Sequence, residues 1–320
     1  MRVDIIALGE PMLEFSASEE GALSEVTQFL VGWGGDTSNF AIAASRLGGK
    51  VGYLTRVGDD EFGESFMLLW KREGIDASHT VKDPDAFTGI YFISRAADKH
   101  YFTYYRKNSA ASKMTPDFLP SDYISRGKLL HVSGISQGIS PSACDTVFAA
   151  IDMAKTAGLA ISYDPNFRPK LWPLERARGI IHETFRQADL VFPSLEDARL
   201  LTGISDPEEI AGFYLSLGPK VVVLKVGSEG ALLATEDQIE GVALCKTQKF
   251  EPYKVKSVDM SGAGDTFDGA FVVGYLSKWP LDRCVSFANA AAALTTTGLG
   301  CVMPVPRMKD VEALMSEQDV

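Results

Sequence analysis

The chain has 320 residues, 46% hydrophobic and 23% charged, which supplies a large apolar core and excludes a disordered chain. Its net charge of -11, with no Lys/Arg run of useful length, argues against non-specific nucleic-acid binding and against an anionic membrane surface, so any anionic ligand must be met by locally placed cations. Four scattered cysteines, Cys144, Cys245, Cys284 and Cys301, make no C-x-x-C pair and no metal-ligand spacing with histidine, so neither a disulfide framework nor a zinc site is expected.

The chain starts directly in a strand-like run, and no charge-free apolar stretch reaches about 18 residues, so a cytoplasmic location is expected. Residues 3–8, 51–57, 129–132, 160–163, 190–192 and 221–226 read as buried strands. Between them, 37–47, 61–73 and 141–157 have helical periodicity, and Gly48, Gly74 and Gly158 stand where a left-handed residue ends a helix. Such alternation predicts an α/β fold: a mostly parallel sheet covered by helices on both faces.

Residues 87–95 and 100–106 interrupt this pattern as strand-like runs joined by a short polar connection at 96–99, which suits a hairpin. Together with 11–35 the hairpin is expected to form a small β lid over the carboxyl ends of the core strands. The expected division is a core of residues 1–10, 36–85 and 112–320 and a lid of 11–35 and 86–111.

Near the C-terminus, Asp259-Met260-Ser261-Gly262-Ala263-Gly264-Asp265 runs into an apolar-patterned helix. A small-residue loop at a helix N-terminus exposes backbone N–H groups and a partial positive charge, which suits a phosphate. Asp265 beside it is placed to take a proton from a substrate hydroxyl, although an Asp in a first helical turn serves as often to complement the helix dipole. Gly34-Gly35 followed by Asn39 permits close approach of a ligand to backbone, with an amide that can donate to and accept from hydroxyls; alone it reads as a glycine turn and a helix cap. Leu224-Lys225-Val226-Gly227-Ser228-Glu229-Gly230 is equally compatible with a nucleotide-side turn and a plain hairpin. Neither G-x-x-x-x-G-K-[ST] nor G-x-G-x-x-G occurs between a strand and a helix, which disfavours a P-loop enzyme or a Rossmann dehydrogenase.

With Gly34-Gly35 and Asn39 at one end and Gly262-Ala263-Gly264-Asp265 at the other, the chain resembles the ribokinase-like (PfkB) sugar kinases over essentially its full length. The resemblance implies the family's fold, a parallel sheet with a small β lid, and ATP with Mg²⁺. It makes Asp265 the catalytic base, the N–H groups of Gly262, Ala263 and Gly264 an anion hole, and Gly34, Gly35 and Asn39 holders of sugar hydroxyls. It places Lys225, Gly227, Gly230 and Asn289 on the nucleotide side. Two departures stand out: Met260 occupies a position usually Thr or Pro, beside Asp259 where a monovalent cation is possible, and Ser194-x-x-Asp197 replaces an Asn-x-x-Glu near the nucleotide and metal.

Thr88-Gly89-Ile90-Tyr91, the run from Tyr104-Tyr105-Arg106 to Ser112, and Asp164-Pro165-Asn166-Phe167-Arg168 together look like the 2-keto-3-deoxygluconate kinases. A sugar acid needs cations, and Arg106 and Arg168 offer bidentate guanidinium groups; Tyr91 and Tyr104 offer hydroxyls. Strand alternation decides between Tyr104 and its neighbour Tyr105, and Tyr104 is favoured here. His131 reads as a strand residue near the crevice, and His79, His100 and His182 as surface residues. A neutral-sugar kinase such as a fructokinase and a non-catalytic sugar sensor are the alternatives, and the lid's outer face is a possible homo-oligomer contact.

Overall fold

A computed structural model describes residues 3–96, 99–239 and 242–318. In chain order the strands are β1 (Ile5–Leu8), β2 (Met12–Ala17), β3 (Phe29–Gly34), β4 (Val51–Leu54), β5 (Arg56–Gly58), β6 (Val81–Asp83), β7 (Ile90–Ala96), β8 (Lys99–Tyr105), β9 (Leu129–Ser133), β10 (Ala160–Asp164), β11 (Leu190–Val191), β12 (Val221–Lys225), β13 (Ala231–Ile239) and β14 (Val242–Phe250). The helices are α1 (Asp36–Arg46), α2 (Glu61–Arg72), α3 (Ser121–Ile124), α4 (Gly134–Gly138), α5 (Pro141–Thr156), α6 (Leu174–Gln187), α7 (Leu195–Thr202), α8 (Pro207–Ser216), α9 (Ala263–Leu276), α10 (Leu281–Thr295) and α11 (Met308–Gln318).

The central sheet runs β14-β13-β12-β11-β10-β9-β1-β4, parallel from β4 to β12 and antiparallel at β13 and β14. Its strands alternate between two cores, which is why they read as continuous apolar runs. Ile5 and Ala7 of β1 pack with Phe40 of α1, Trp70 of α2, Phe271 of α9 and Phe287 of α10. Ile6 and Leu8 face the other way, into the layer with Ile151 of α5, Phe185 of α6 and Tyr214 of α8. The α-helical ends follow the expected chemistry: Asp60 and Ser140 accept from amides in the first turns of α2 and α5, and left-handed Gly48, Gly74 and Gly158 follow α1, α2 and α5.

A second sheet, β3-β2-β7-β8, carries the four lid strands, with Tyr91 of β7 directly opposite Tyr104 of β8. Residues 97 and 98 of the expected hairpin connection, and the side chain of His100, lie outside the described residues. The expected strand 51–57 is two strands. The Thr55 hydroxyl donates to the Gly9 carbonyl at 2.6 Å, the chain leaves the main sheet there, and β5 pairs with β6. Two histidines expected at the surface are half-buried against aromatic rings, His182 beside Phe213 and Tyr214 and His79 against Tyr123. Among the described residues no helix is long and apolar enough to cross a membrane.

Arg46, at the end of α1, fixes that helix to two other parts of the chain. Its guanidinium bonds both carboxylate oxygens of Glu73 and the carbonyls of Val302 and Val305, at 2.7 to 3.0 Å. The pair is nearly buried, and hydrogen bonds from Arg46 hold the Glu73 carboxyl below its ordinary 4.5. Removing one partner of such a pair strands the other charge. Arg46→Met is expected to cost about 3–5 kcal/mol in urea unfolding at neutral pH. A depressed carboxyl contributes its stability above 4.5 and loses it as the pH falls below, so the gap between wild type and variant should narrow in acid.

Candidate active site

The parallel strands deliver their carboxyl ends to one side of the sheet, where a cleft of about 670 Å³ opens beneath the lid. Glu10 follows β1, Ile135 follows β9, Asp164 ends β10, Ser194 follows β11 and Lys225 ends β12, and all five line it.

At the cleft floor lies the N-terminus of α9. Gly262 precedes it with φ 74°, and a Cβ there would stand 2.9 Å from the Cys301 carbonyl oxygen, so the position is closed to other residues on both counts. No side chain caps this end, which leaves first-turn N–H groups of Gly264 and Asp265 without helical acceptors. The loop before it is closed by Asp259, whose two oxygens accept the amides of Ser261 and Gly300 at 3.0 Å. Met260, at the tip, is 77% exposed.

Asp265 faces the cleft and accepts from Asn39 Nδ2 at 2.8 Å. Burial, reinforced by the nearby Asp36, raises its carboxyl to about 7. The other amide atom, Asn39 Oδ1, is buried without a hydrogen-bond partner.

Behind Asp265 stands a buried charge cluster. Lys225 Nζ lies 2.8 Å from Asp164 Oδ2 and 3.1 Å from Asp268 Oδ1. Burial would favour neutral groups throughout, yet the attraction of Lys225 holds Asp164 below its ordinary value, and Asp164, with the Asp268 oxygens, holds Lys225 protonated. Burial drives Asp268 well up, and it bonds Asp164 in its protonated form. Lys225, expected at a nucleotide-side turn, thus lines the cleft with its charge already partnered.

On the lid side, Gly34 has no room for a side chain: its Cβ would lie 2.4 Å from the Tyr91 hydroxyl. That hydroxyl donates to Glu14 at 2.5 Å, and the Cys301 thiol donates to the same carboxylate at 3.5 Å. Gly35, with φ 95°, turns the chain into α1 over the Glu10 carbonyl. Tyr91, Tyr104, Gly35 and Asn39 line the cleft; Tyr105 lies on the opposite face of the lid, against Phe92. Arg106 also lines it, but its guanidinium is bonded to the fully buried Glu10, which accepts from Ser109 as well. Arg168 differs. It donates to the Phe167 carbonyl at 3.1 Å, and among the described residues no carboxylate lies within ion-pair distance of it.

Towards the open end, Ser194 caps α7 by accepting the Asp197 amide, and Asp197 accepts the Phe167 amide at 3.0 Å. Asp197 is raised by burial, a rise that Arg168 opposes. Gly227 opens onto free space, whereas a side chain at Gly230 would strike the Phe250 carbonyl at 2.0 Å, so Gly230 is required by the β12–β13 hairpin itself. Asn289 lines the same end and donates to the Glu251 carbonyl. The uncapped helix end and this glycine-bordered space fit a triphosphate. Among the described residues no three acidic, His or Cys side chains gather to hold a metal alone, so a divalent ion here would share a carboxylate such as Asp197 with phosphate oxygens.

Glu10, Asp36 and Asp268 were not singled out from the sequence. Asp268 had a signal, since it stands three residues after Asp265 on one helix face, whereas Glu10 meets Arg106 across 96 residues of chain.

The model of the pfkB family carbohydrate kinases matches residues 3–308. The chain is 35% identical to the 2-dehydro-3-deoxygluconokinase of Bacillus subtilis (strain 168), covering 99% of this chain and 97% of that one. It is 33% identical to fructokinase-1 of Zea mays over 98% of both. Among solved structures, a PfkB protein from Polaromonas sp. JS666 superposes with a TM-score of 0.86 at 31% identity, covering 97% of this chain and 99% of that one. A putative ribokinase II from E. coli in complex with ATP and Mg²⁺ superposes at 0.89, with 26% identity and coverage of 99% and 100%.

Proposed function

This chain belongs to the pfkB family of carbohydrate kinases and is an ATP-dependent sugar kinase, and from that premise we propose that it phosphorylates the terminal hydroxyl of 2-keto-3-deoxygluconate. The observation that carries the proposal is one cleft with two chemically different ends: Asp265 and an uncapped helix N-terminus at the floor, and two guanidinium groups with Tyr104 under the lid.

Asp265 takes the proton of the acceptor hydroxyl, which Asn39 positions through its unpartnered carbonyl oxygen. The α9 amides receive negative charge as it develops on the transferring group. Bound ATP supplies that phosphoryl group, and Mg²⁺ carried with it would be held from Asp197. Under the lid, Arg168 meets the substrate carboxylate with unneutralised charge, while Arg106, fixed by Glu10, adds directed N–H donors. Tyr91 packs on the carbon chain and keeps its hydroxyl turned to Glu14. Closure of the lid would exclude water and suppress ATP hydrolysis. The exposed apolar strip of Val31 and Tyr105 on the lid is where we place contact with a second copy.

Asp265→Asn is expected to lower turnover roughly 10²- to 10⁴-fold while leaving the fold intact, and near-normal turnover would remove Asp265 from the reaction. In wild type, protonation of Asp265 removes the base, so kcat/KM should fall tenfold per pH unit below about 7. A panel of sugar acids, fructose and ribose with ATP, read as ADP formed, separates the acceptors. Arg168→Ala is expected to raise KM for the sugar acid roughly 10- to 100-fold, the worth of a charged hydrogen bond, and to leave neutral sugars almost unchanged. Preferential turnover of fructose, indifferent to Arg168, would establish the neutral-sugar alternative; silence across the panel would favour a sensor.

A further inference from the structure

Arg168 is exposed at the rim of the cleft, and among the described residues its guanidinium makes one hydrogen bond, to the carbonyl of its own neighbour Phe167. A long side chain that no carboxylate grips is placed chiefly by the backbone from which it starts. That backbone is held closely. The chain leaves β10 at Asp164 and passes over Gly134, where a Cβ would stand 2.0 Å from the Pro165 carbonyl oxygen, then turns at Asn166 with a left-handed φ of 34°. Asp164 Oδ1 accepts the Asn166 amide at 3.0 Å, and Asp197 Oδ2 accepts the next amide, that of Phe167, at 3.0 Å. Phe167 itself is buried in the layer of Ile151, Phe185 and Tyr214, and the Arg168 carbonyl closes the turn by accepting the Leu171 amide.

Asp197 is the third residue of α7, the place from which an acid commonly reaches back to the cap of its own helix. Here the carboxylate crosses instead to a segment 30 residues away in the sequence. Ser194 steadies it by accepting the Asp197 amide at 3.1 Å. Burial raises the Asp197 carboxyl and the nearby Arg168 opposes the rise, yet among the described residues the two side chains form no ion pair. The carboxylate thus holds the backbone that leads into Arg168 and leaves the guanidinium charge open. An ion pair in its place would neutralise the very group that an anionic ligand needs.

We propose that Asp197 is a positioning residue for acid recognition: by holding the Phe167 amide, it sets Arg168 to meet the carboxylate of the substrate. The inference rests on the sugar-acid reading of this cleft, and it is separate from any share that Asp197 has in a divalent ion. Loss of the bond frees the turn between Asn166 and Leu171, and with it the starting point of the guanidinium. Misplacing a reacting or binding group by about 1 Å can cost roughly 100-fold.

The test reads binding of 2-keto-3-deoxygluconate and of fructose by calorimetry, without nucleotide or divalent ion, so that a role of Asp197 at a metal does not enter. Wild type should bind the acid more tightly. Asp197→Ala should weaken the acid roughly tenfold more than it weakens fructose, the lower end of what a charged hydrogen bond contributes. Asp197→Asn, whose amide oxygen can still accept from Phe167, should restore most of that difference, which an effect of charge alone would not do. Asp197→Ala combined with Arg168→Ala should cost the acid no more than Arg168→Ala by itself, because both act through one contact. Asp197→Glu keeps the charge but carries the carboxylate a methylene beyond the amide; it covers the case in which the alanine variant fails to fold, and should weaken the acid in the same sense. Acid affinity unmoved in the alanine and glutamate variants, no rescue by asparagine, or losses that add in the double variant would overturn the proposal and leave the sugar-acid reading standing. A wild type that does not prefer the acid to fructose overturns that reading and this inference with it.

Discussion

One ammonium group set among carboxylates governs the chemistry available in this cleft. Lys225 is buried against Asp164 and Asp268, with Asp36 and Asp265 close by. Desolvation alone would protonate the acids or discharge the lysine; a single lysine holds Asp164 ionised but cannot neutralise the whole group. Burial, and after it the charge of Asp36, raises the Asp265 carboxyl to about 7, in the range where a base is effective, while Lys225 opposes the rise. Deleting Lys225 would strand several buried carboxylates at once, so fold stability and basicity share one origin.

The fold brings these groups together because parallel strands end on the same side. β10 contributes Asp164 and β12 contributes Lys225 across the intervening β11, and α9, packed beneath, adds Asp265 and Asp268. α1 lies against α9 and crosses from the lid turn at Gly35 to the Arg46 anchor, carrying Asp36 and Asn39 on the face between. Charges are thereby grouped in space: Asp164, Asp265, Asp268 and one bound ammonium at the floor, and two guanidinium groups, one of them paired with Glu10, under the lid.

Local chemistry made much of this legible. Apolar runs bounded by glycine marked the parallel strands, and Gly262-Ala263-Gly264-Asp265 before an apolar helix suggested amides open to a phosphate, a reading evenly balanced in sequence against a plain helix cap. The outer strand β14 did not read as strand, since Lys246 and Lys249 interrupt its apolar pattern. Pairings across the chain were out of reach. Periodicity could not show that Glu10 would occupy Arg106, or that Arg168 would keep its charge open. Gly230 matched a ligand-binding role in sequence; it borders the cleft, and the nearby Phe250 carbonyl and a φ of 90° require glycine there as well.

The turn at Gly300 and Cys301 touches both halves of the cleft. Its Gly300 amide is gripped by Asp259 from the loop before α9, its Cys301 carbonyl backs the left-handed Gly262, and its thiol reaches Glu14 beside the Tyr91 hydroxyl. Floor and roof therefore meet along one short seam of backbone. The glycine loop and the tyrosine wall are thereby joined through Asp259, the Gly300-Cys301 turn and Glu14.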